Sequence, residues 1–153
     1  MSQDGIDLET SLGYLLKEAS SALRVAMEAV LRPLGMTVTH YSCLELLAQR
    51  PGLSSSELAR GAFVTRQSMN VVLHALERDG YVTRPAEARV GKVLPAQLTE
   101  RGRQSLREAT AAVRSVEVTM LGGITPDEQA STYRTLQGMV RNLRDQAASA
   151  PER

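Results

Sequence analysis

The sequence predicts a mainly α-helical protein with one small β-hairpin, and three observations point to that fold class. Aliphatic residues recur three and four positions apart in long segments at both ends of the 153-residue chain, as they do along one helix face. Aromatic residues make up only 3% of the chain, which disfavours a strand-rich core. Between the long segments, two short helical patterns precede Gly80 and two short runs with β-branched residues.

The first long helix is predicted from Leu8 to about Arg32, where Pro33 and Gly35 end it. Its apolar stripe consists of Leu8, Leu12, Leu15, Leu16, Ala19, Leu23, Ala26 and Val30. A second helix is predicted from Thr37 to Gln49, before the helix-breaking pair Pro51-Gly52.

Two short helices follow, joined by a tight turn. Ser54 and Glu57 have the spacing of a capping box, and Gly61 is predicted to stop the first helix. Thr65 is placed to cap the second helix, and Gly80 follows as its C-terminal stop. The apolar face of this second helix is formed by Met69, Val72, Leu73 and Leu76. The pattern predicts a helix-turn-helix.

The opposite face of that second helix carries a polar stripe, formed by Arg66, Gln67, Asn70 and His74. Arg pairs bidentately with guanine, and Gln or Asn pairs with adenine. On an isolated helix such a stripe is ordinarily a solvated face. In the second helix of a helix-turn-helix, followed by a hairpin, it indicates a helix that reads the DNA major groove.

A small hairpin is predicted after Gly80, with strands at Tyr81–Arg84 and Val93–Leu98 and Pro95 in an edge strand. Its exposed tip carries Glu87, Arg89 and Lys92. This hairpin is the wing of a winged helix-turn-helix. Thr99 then caps another long helix, Gly122-Gly123 breaks it, and a final helix is predicted from Pro126 to about Gln146, capped by Thr125 with Glu128.

The ordered motifs resemble those of the MarR family of bacterial transcription regulators. They are Ser54-x-x-Glu57-Leu58-Ala59, Val64-Thr65-Arg66-Gln67-Ser68, Leu76-Glu77-Arg78-Asp79-Gly80-Tyr81-Val82-x-Arg84, and Gly91-Lys92-Val93-Leu94-Pro95-x-x-Leu98-Thr99-x-x-Gly102. The resemblance covers nearly the whole chain. It implies a winged helix-turn-helix DNA-binding domain over 36–99, an N-terminal dimerisation helix in 1–35 and C-terminal dimerisation helices in 100–153.

The residues expected to contact DNA are Ser54, Ser55, Thr65, Arg66, Gln67, Ser68, Asn70, His74, Arg84, Arg89 and Lys92. The wing departs from the family pattern Asp-x-Arg, because Val90 stands in the Asp position and Lys92 in the Arg position. Lys is a point charge rather than a planar fork. Two alternatives remain: Arg89 enters the minor groove instead, or Lys92 touches only phosphate.

The resemblance also implies repression that a small, often phenolic, anionic effector relieves. The effector pocket is expected near Leu16, Met36, His40, Tyr41 and Cys43, although ordinary packing is the alternative role for these residues. Some family members sense oxidants through a Cys on the first helix, a position that Cys43 does not match. Cys43 also has no nearby Lys or Arg in sequence to lower its pKa, so a buried structural role is favoured over redox sensing.

Charge and motif content separate the classes of function. Residues 54–103 carry 8 Lys/Arg and 5 Asp/Glu, a net charge of +3, against −2 for 1–53 and 0 for 104–153. The positive charge therefore lies in the winged segment, where DNA would bind. The sequence contains no P-loop, GxGxxG, nucleophile elbow or Cys/His cluster, so we predict no enzyme, metal or cofactor. Without a signal peptide or a long apolar run, we expect a cytoplasmic protein.

Three long amphipathic helices lie outside the small winged core, which cannot cover them all. Packing against a second copy would cover them and place two reading helices about 34 Å apart, on a pseudo-palindromic operator. A winged domain that binds protein without reading DNA is the alternative function. The polar stripe disfavours it, since protein-binding surfaces are usually more apolar at their centre.

Overall fold

The computed structural model describes residues 5–84 and 96–150. Within them, the helices are α1 (Leu12–Leu31), α2 (Val38–Gln49), α3 (Ser55–Gly61), α4 (Arg66–Arg78), α5 (Glu100–Met120) and α6 (Pro126–Ala148), with a short 3₁₀ helix at Arg32–Leu34. The strands are β1 (Val82–Thr83) and β2 (Gln97–Leu98), paired antiparallel with Val82 opposite Leu98. The predicted fold class, mainly α with a small β element, is confirmed. No helix in the described residues is long and apolar enough to cross a membrane.

The first helix begins at Leu12, and the predicted start at Leu8 is wrong. The Asp7 carboxylate accepts hydrogen bonds from the Glu9 backbone N–H and the Thr10 hydroxyl, each at 3.1 Å, and these bonds hold a separate turn. Ser11 then caps α1 by accepting from the Tyr14 N–H at 3.1 Å. Apolar spacing continued through Leu8, but local polar side chains set the helix start.

The core of the residues up to Val116 lies where α2, α3 and α4 meet the sheet and α5. The buried cluster consists of Cys43, Leu44, Leu47, Leu58, Ala59, Met69, Leu73, Leu76, Val82, Ala96, Leu98 and Leu106. The inward face predicted for α4 is confirmed, with Met69, Leu73 and Leu76 buried and Val72 half-buried. This packing fixes the opposite face of α4 toward solvent.

Thr99 caps α5, as predicted, and it also joins the start of α5 to the residues that precede β1. Its hydroxyl accepts a hydrogen bond from the Gly102 N–H at 3.0 Å and donates one to the Gly80 carbonyl at 2.6 Å. The Thr99 N–H in turn donates to the Tyr81 carbonyl at 3.1 Å. A Cβ on Gly102 would lie only 2.1 Å from that same oxygen, so the close approach requires glycine here. These contacts hold the end of α4, the start of β1 and the start of α5 together as one rigid joint.

The chain divides after Val116 into two compact units, and the second contains α6. Thr125 caps α6, and its capping box with Glu128 is confirmed by hydrogen bonds of 3.2 and 2.8 Å. No residue of α6 is buried. Its exposed apolar residues are Tyr133, Leu136, Val140 and Leu143. In the first unit, the N-terminal half of α1 likewise exposes Leu12, Leu15 and Leu16.

Candidate nucleic-acid interface

Local capping positions both helices of the helix-turn-helix. Ser54 accepts a hydrogen bond from the Glu57 N–H at 3.2 Å and donates its hydroxyl proton to the Glu57 carboxylate at 2.9 Å. Thr65 accepts from the Ser68 N–H at 3.1 Å and donates to the Ser68 hydroxyl at 2.9 Å. The predicted caps of α3 and α4 are confirmed. At Ser54, however, the Glu57 carboxylate binds the cap hydroxyl, not the backbone N–H expected of a capping box.

The outer face of α4 presents the polar stripe. Arg66 and Gln67 are exposed in its first turn, and within the described residues no hydrogen bond or ion pair occupies either side chain. Asn70 is half-buried, and its backbone carbonyl oxygen lies 2.7 Å from Nδ1 of the exposed His74 ring. The N-terminal turn of the second helix thus carries a guanidinium and an amide available for an external partner.

Three of the other residues predicted to contact DNA, Ser55, Ser68 and Arg84, are half-buried or already bonded within the chain. Ser55 is half-buried, and the Ser68 hydroxyl accepts the bond from Thr65. Arg84 pairs with Glu77 of α4 through Nε and Oε2 at 3.6 Å. Its Nη2 is buried, with no hydrogen-bonding partner among the described residues. Arg89 and Lys92 fall outside the described residues, as do Val90 and Pro95.

The residues expected to form an effector pocket are largely part of the packing around α2. Cys43 is completely buried, while Met36 and Tyr41 are partly buried against the same core. The His40 Nδ1 accepts a hydrogen bond from the Thr37 N–H at 3.4 Å and completes a capping box, a role that the sequence did not suggest. Leu16 is exposed on α1. The structure therefore gives Cys43 and His40 structural roles.

Burial shifts the pKa of two residues in this set, Cys43 and His40. It raises the pKa of the Cys43 thiol to about 12, although the positive charge of Arg84 acts in the opposite direction. It lowers the pKa of His40, with Asp79 acting in the opposite direction. A neutral thiol reacts poorly with oxidants. The geometry agrees with a structural Cys43. Among the described residues, no three His, Cys, Asp or Glu side chains gather as a metal site would require.

The sequence reasoning missed a cleft of about 970 Å³ between the C-terminal part of α2, β2 and α5. Leu47, Leu98 and Leu106 contribute apolar surface to it. The Thr110 hydroxyl donates to the Glu45 carboxylate across it at 3.2 Å. Its cationic residues are Arg103, Arg107 and Arg114, spaced four and seven positions apart along α5. That spacing is the sequence signal that could have revealed one cationic helix face.

The sequence reasoning also missed Phe63, the residue that turns the chain between α3 and α4. Gly61 ends α3, but the left-handed residue is Phe63, with φ 59°. Its N–H donates to the Arg60 carbonyl, and the Val64 N–H donates to the Ala59 carbonyl at 3.0 Å. These bonds define a Schellman motif with Phe63 in the position that glycine usually occupies.

Comparison with known proteins extends these observations. The model of the MarR family matches residues 34–92. The HTH-type transcriptional repressor Rv2887 of Mycobacterium tuberculosis is 45% identical over 133 residues, which cover 87% of this chain and 96% of that protein. The chain belongs to the MarR family. The resemblance predicted from the motifs is confirmed.

Solved structures similar to this MarR-family chain include two complexes of Rv2887 from Mycobacterium tuberculosis. The complex with salicylic acid has a TM-score of 0.71 at 43% identity, covering 91% of this chain and 99% of the other. The complex with DNA has a TM-score of 0.68 at 42% identity, covering 85% of this chain and 98% of the other. The winged helix-turn-helix architecture is thereby confirmed, in a family of transcription regulators.

Proposed function

We propose that this MarR-family chain is a sequence-specific repressor that binds double-stranded DNA as a homodimer. The observation that carries the proposal is the first turn of α4, where Arg66 and Gln67 project into solvent from the second helix of the helix-turn-helix. In such modules the N-terminal residues of the second helix contact base edges. The DNA complex of the relative Rv2887 supports the same function.

Within this proposal, the predicted DNA residues have different roles. Arg66, Gln67 and Asn70 read bases, whereas Ser54 and Thr65 hold helix N-termini whose N–H groups suit phosphate. Arg84 acts through its pairing with Glu77, which ties the root of the wing to α4. Ser55, Ser68 and His74 remain candidates for phosphate contacts, and Arg89 and Lys92 for backbone or minor-groove contacts by the wing.

The homodimer is supported by apolar surface that the single chain leaves uncovered. Leu136 and Leu143 of α6 are exposed, as are Leu12 and Leu15 of α1. Monomeric soluble proteins rarely leave such stripes in water. A symmetric interface of about 2,000 Å² or more would cover them. We therefore keep 1–35 and 100–153 as dimerisation segments that flank the DNA-binding domain, 36–99.

For the effector, we propose a small aromatic carboxylate, since Rv2887 forms complexes with salicylic acid and p-aminosalicylic acid. Two locations compete. One is the set Leu16, Met36, His40, Tyr41 and Cys43. The other is the α2–α5 cleft, which is favoured by its apolar surface and by Arg114, whose guanidinium has no ion-pair partner among the described residues.

Calorimetric titration with salicylate separates these two locations. Arg114→Ala should weaken binding about tenfold if the cleft is the site, because a charge-assisted hydrogen bond contributes roughly 1.5 kcal/mol or more. His40→Gln, which preserves the capping acceptor, should weaken it only if the first location holds the effector. If His40→Gln loses salicylate binding and Arg114→Ala does not, the cleft is excluded as the effector site.

The DNA-binding proposal is tested by selection from a random pool of duplexes about 30 base pairs long, roughly three helical turns. Arg66→Ala should weaken binding to the selected duplex by about 1–3 kcal/mol, and so should Gln67→Ala. Arg78→Ala is the matched control, because Arg78 lies at the other end of α4, about 18 Å along the axis. Failure of the wild-type protein to enrich any duplex would favour the protein-interaction alternative.

A further inference from the structure

The turn of the helix-turn-helix exposes an aromatic ring. Phe63 is 88% exposed, more than any other large hydrophobic residue in the described part of the chain, and it is the only Phe in the sequence. The neighbouring Val64 packs against the core and supplies the apolar contact that a Schellman turn usually makes. The ring of Phe63 therefore contributes nothing to the packing of this turn.

The backbone conformation at Phe63 is energetically unfavourable for a bulky side chain. A φ of 59° lies in the left-handed region, which is strained for a bulky side chain and free of strain for glycine. Nearby bonds, including the one from the Val64 N–H to the Ala59 carbonyl, hold the strained turn in place. A strained backbone held by its surroundings is characteristic of functional sites.

The position of Phe63 relates it to the reading helix. It lies two residues before Thr65, the N-cap of α4, so the two Cα atoms are at most about 7.6 Å apart. The N-terminal end of that helix is the part that approaches base edges in a helix-turn-helix. A solvated ring at this point therefore lies beside the surface proposed to enter the major groove.

We propose that Phe63 contacts operator DNA directly, with its ring packed against the 5-methyl groups of thymines in the major groove. Thymine is the base that offers a methyl group there, and Phe is a side chain suited to contact it. The inference rests on the proposed DNA-binding function. It adds a hydrophobic specificity contact to the polar readout by Arg66 and Gln67.

The test uses the full-length protein and the duplex selected by the wild-type chain. Phe63→Gly should bind that duplex about fivefold to tenfold more weakly, the equivalent of roughly 1–1.4 kcal/mol. Its melting temperature should equal or exceed that of the wild type, because glycine relieves the strained φ. Phe63→Leu, which keeps an apolar side chain, should recover part of the affinity.

Replacing thymine by uracil at each operator position identifies the methyl group. At one or more operator positions near the N-terminal end of α4, uracil should weaken binding of the wild-type protein about as much as Phe63→Gly does. At the same positions, uracil should not weaken binding of Phe63→Gly further. Unchanged affinity of Phe63→Gly would overturn the proposal, and so would equal sensitivity of both proteins to uracil. Loss of binding by Arg66→Ala in the same assay keeps a failure at Phe63 distinct from a failure of the DNA-binding function.

Discussion

Replacement of Gly102 by alanine should destabilise the protein, against the expectation from helix propensity. Gly102 is the third residue of α5, and alanine in a helix is favoured over glycine by about 1 kcal/mol. The added Cβ, however, would lie 2.1 Å from the Tyr81 carbonyl oxygen and 3.4 Å from Cδ2 of Leu98. The oxygen belongs to backbone, so relief requires the joint between α4, β1 and α5 to open by about 1 Å.

The magnitude follows from the contacts that this opening disturbs. Overpacking of a tight site costs about 1–3 kcal/mol. Weakening the bond from the Thr99 N–H to the Tyr81 carbonyl costs about 1 kcal/mol more. After subtracting the gain in helix propensity, we expect a net loss of about 1–3 kcal/mol. For a chain of this length, a loss of about 2 kcal/mol lowers the melting temperature by roughly 4–8 °C.

Urea and thermal denaturation, followed by circular dichroism at one fixed protein concentration, measure this loss. Gly13→Ala is the control, since Gly13 lies in the first turn of α1 and its added Cβ would meet only the Ser11 hydroxyl, at 3.8 Å. That variant should be as stable as the wild type, or more stable by up to about 1 kcal/mol from the gain in helix propensity. A Gly102→Ala protein as stable as the wild type would refute the rigid joint.

Three further predictions concern burial and assembly. Because burial raises the pKa of Cys43 from 9.0 to about 12, the free energy of unfolding should fall as pH rises above about 9, where the unfolded thiol ionises first. Denaturant titrations at a series of pH values should show a smaller fall of this free energy with pH in Cys43→Ala. Burial also lowers the pKa of His40, so the unfolded state takes up the proton first and stability should fall as pH drops below about 6.5. His40→Gln should flatten that loss while keeping the cap on Thr37. Leu143→Asp should disrupt the dimer and abolish operator binding, which sedimentation and a mobility shift check together; a monomeric variant with wild-type affinity would contradict the assembly model.

Much of the fold could be predicted because its helix starts are encoded locally. Thr65, Thr99 and Thr125 each cap the helix that the sequence indicated, since a cap depends on side chains within about three residues. The predicted helix start at Leu8 was wrong for the same reason. The apolar spacing extends to Leu8, but local hydrogen bonds to the Asp7 carboxylate form a separate turn there.

Features that depend on distant contacts could not be predicted from sequence. A Cβ on Gly61 would lie 3.0 Å from the end of the Leu46 side chain of α2, so this glycine lets α3 pack closely against α2. The left-handed residue of the turn is Phe63 instead. The pairing of Arg84 with Glu77 likewise depends on how the hairpin meets α4. For Arg66 and Gln67, the exposure predicted from the sequence is confirmed, because the opposite, apolar face of α4 was unambiguous.

In the dimeric repressor proposed above, the absence of any buried residue in α6 has a genetic consequence. A helix whose apolar face is covered by another chain cannot distinguish an intact partner from one with a defective reading helix. Copies carrying Arg66→Ala would therefore enter mixed dimers, about half of all dimers at equal expression by random pairing of two-fold assemblies. Each mixed dimer would hold one functional half-site reader, so such an allele should be dominant-negative in a merodiploid cell. An allele with Leu143→Asp, excluded from pairing, should be recessive.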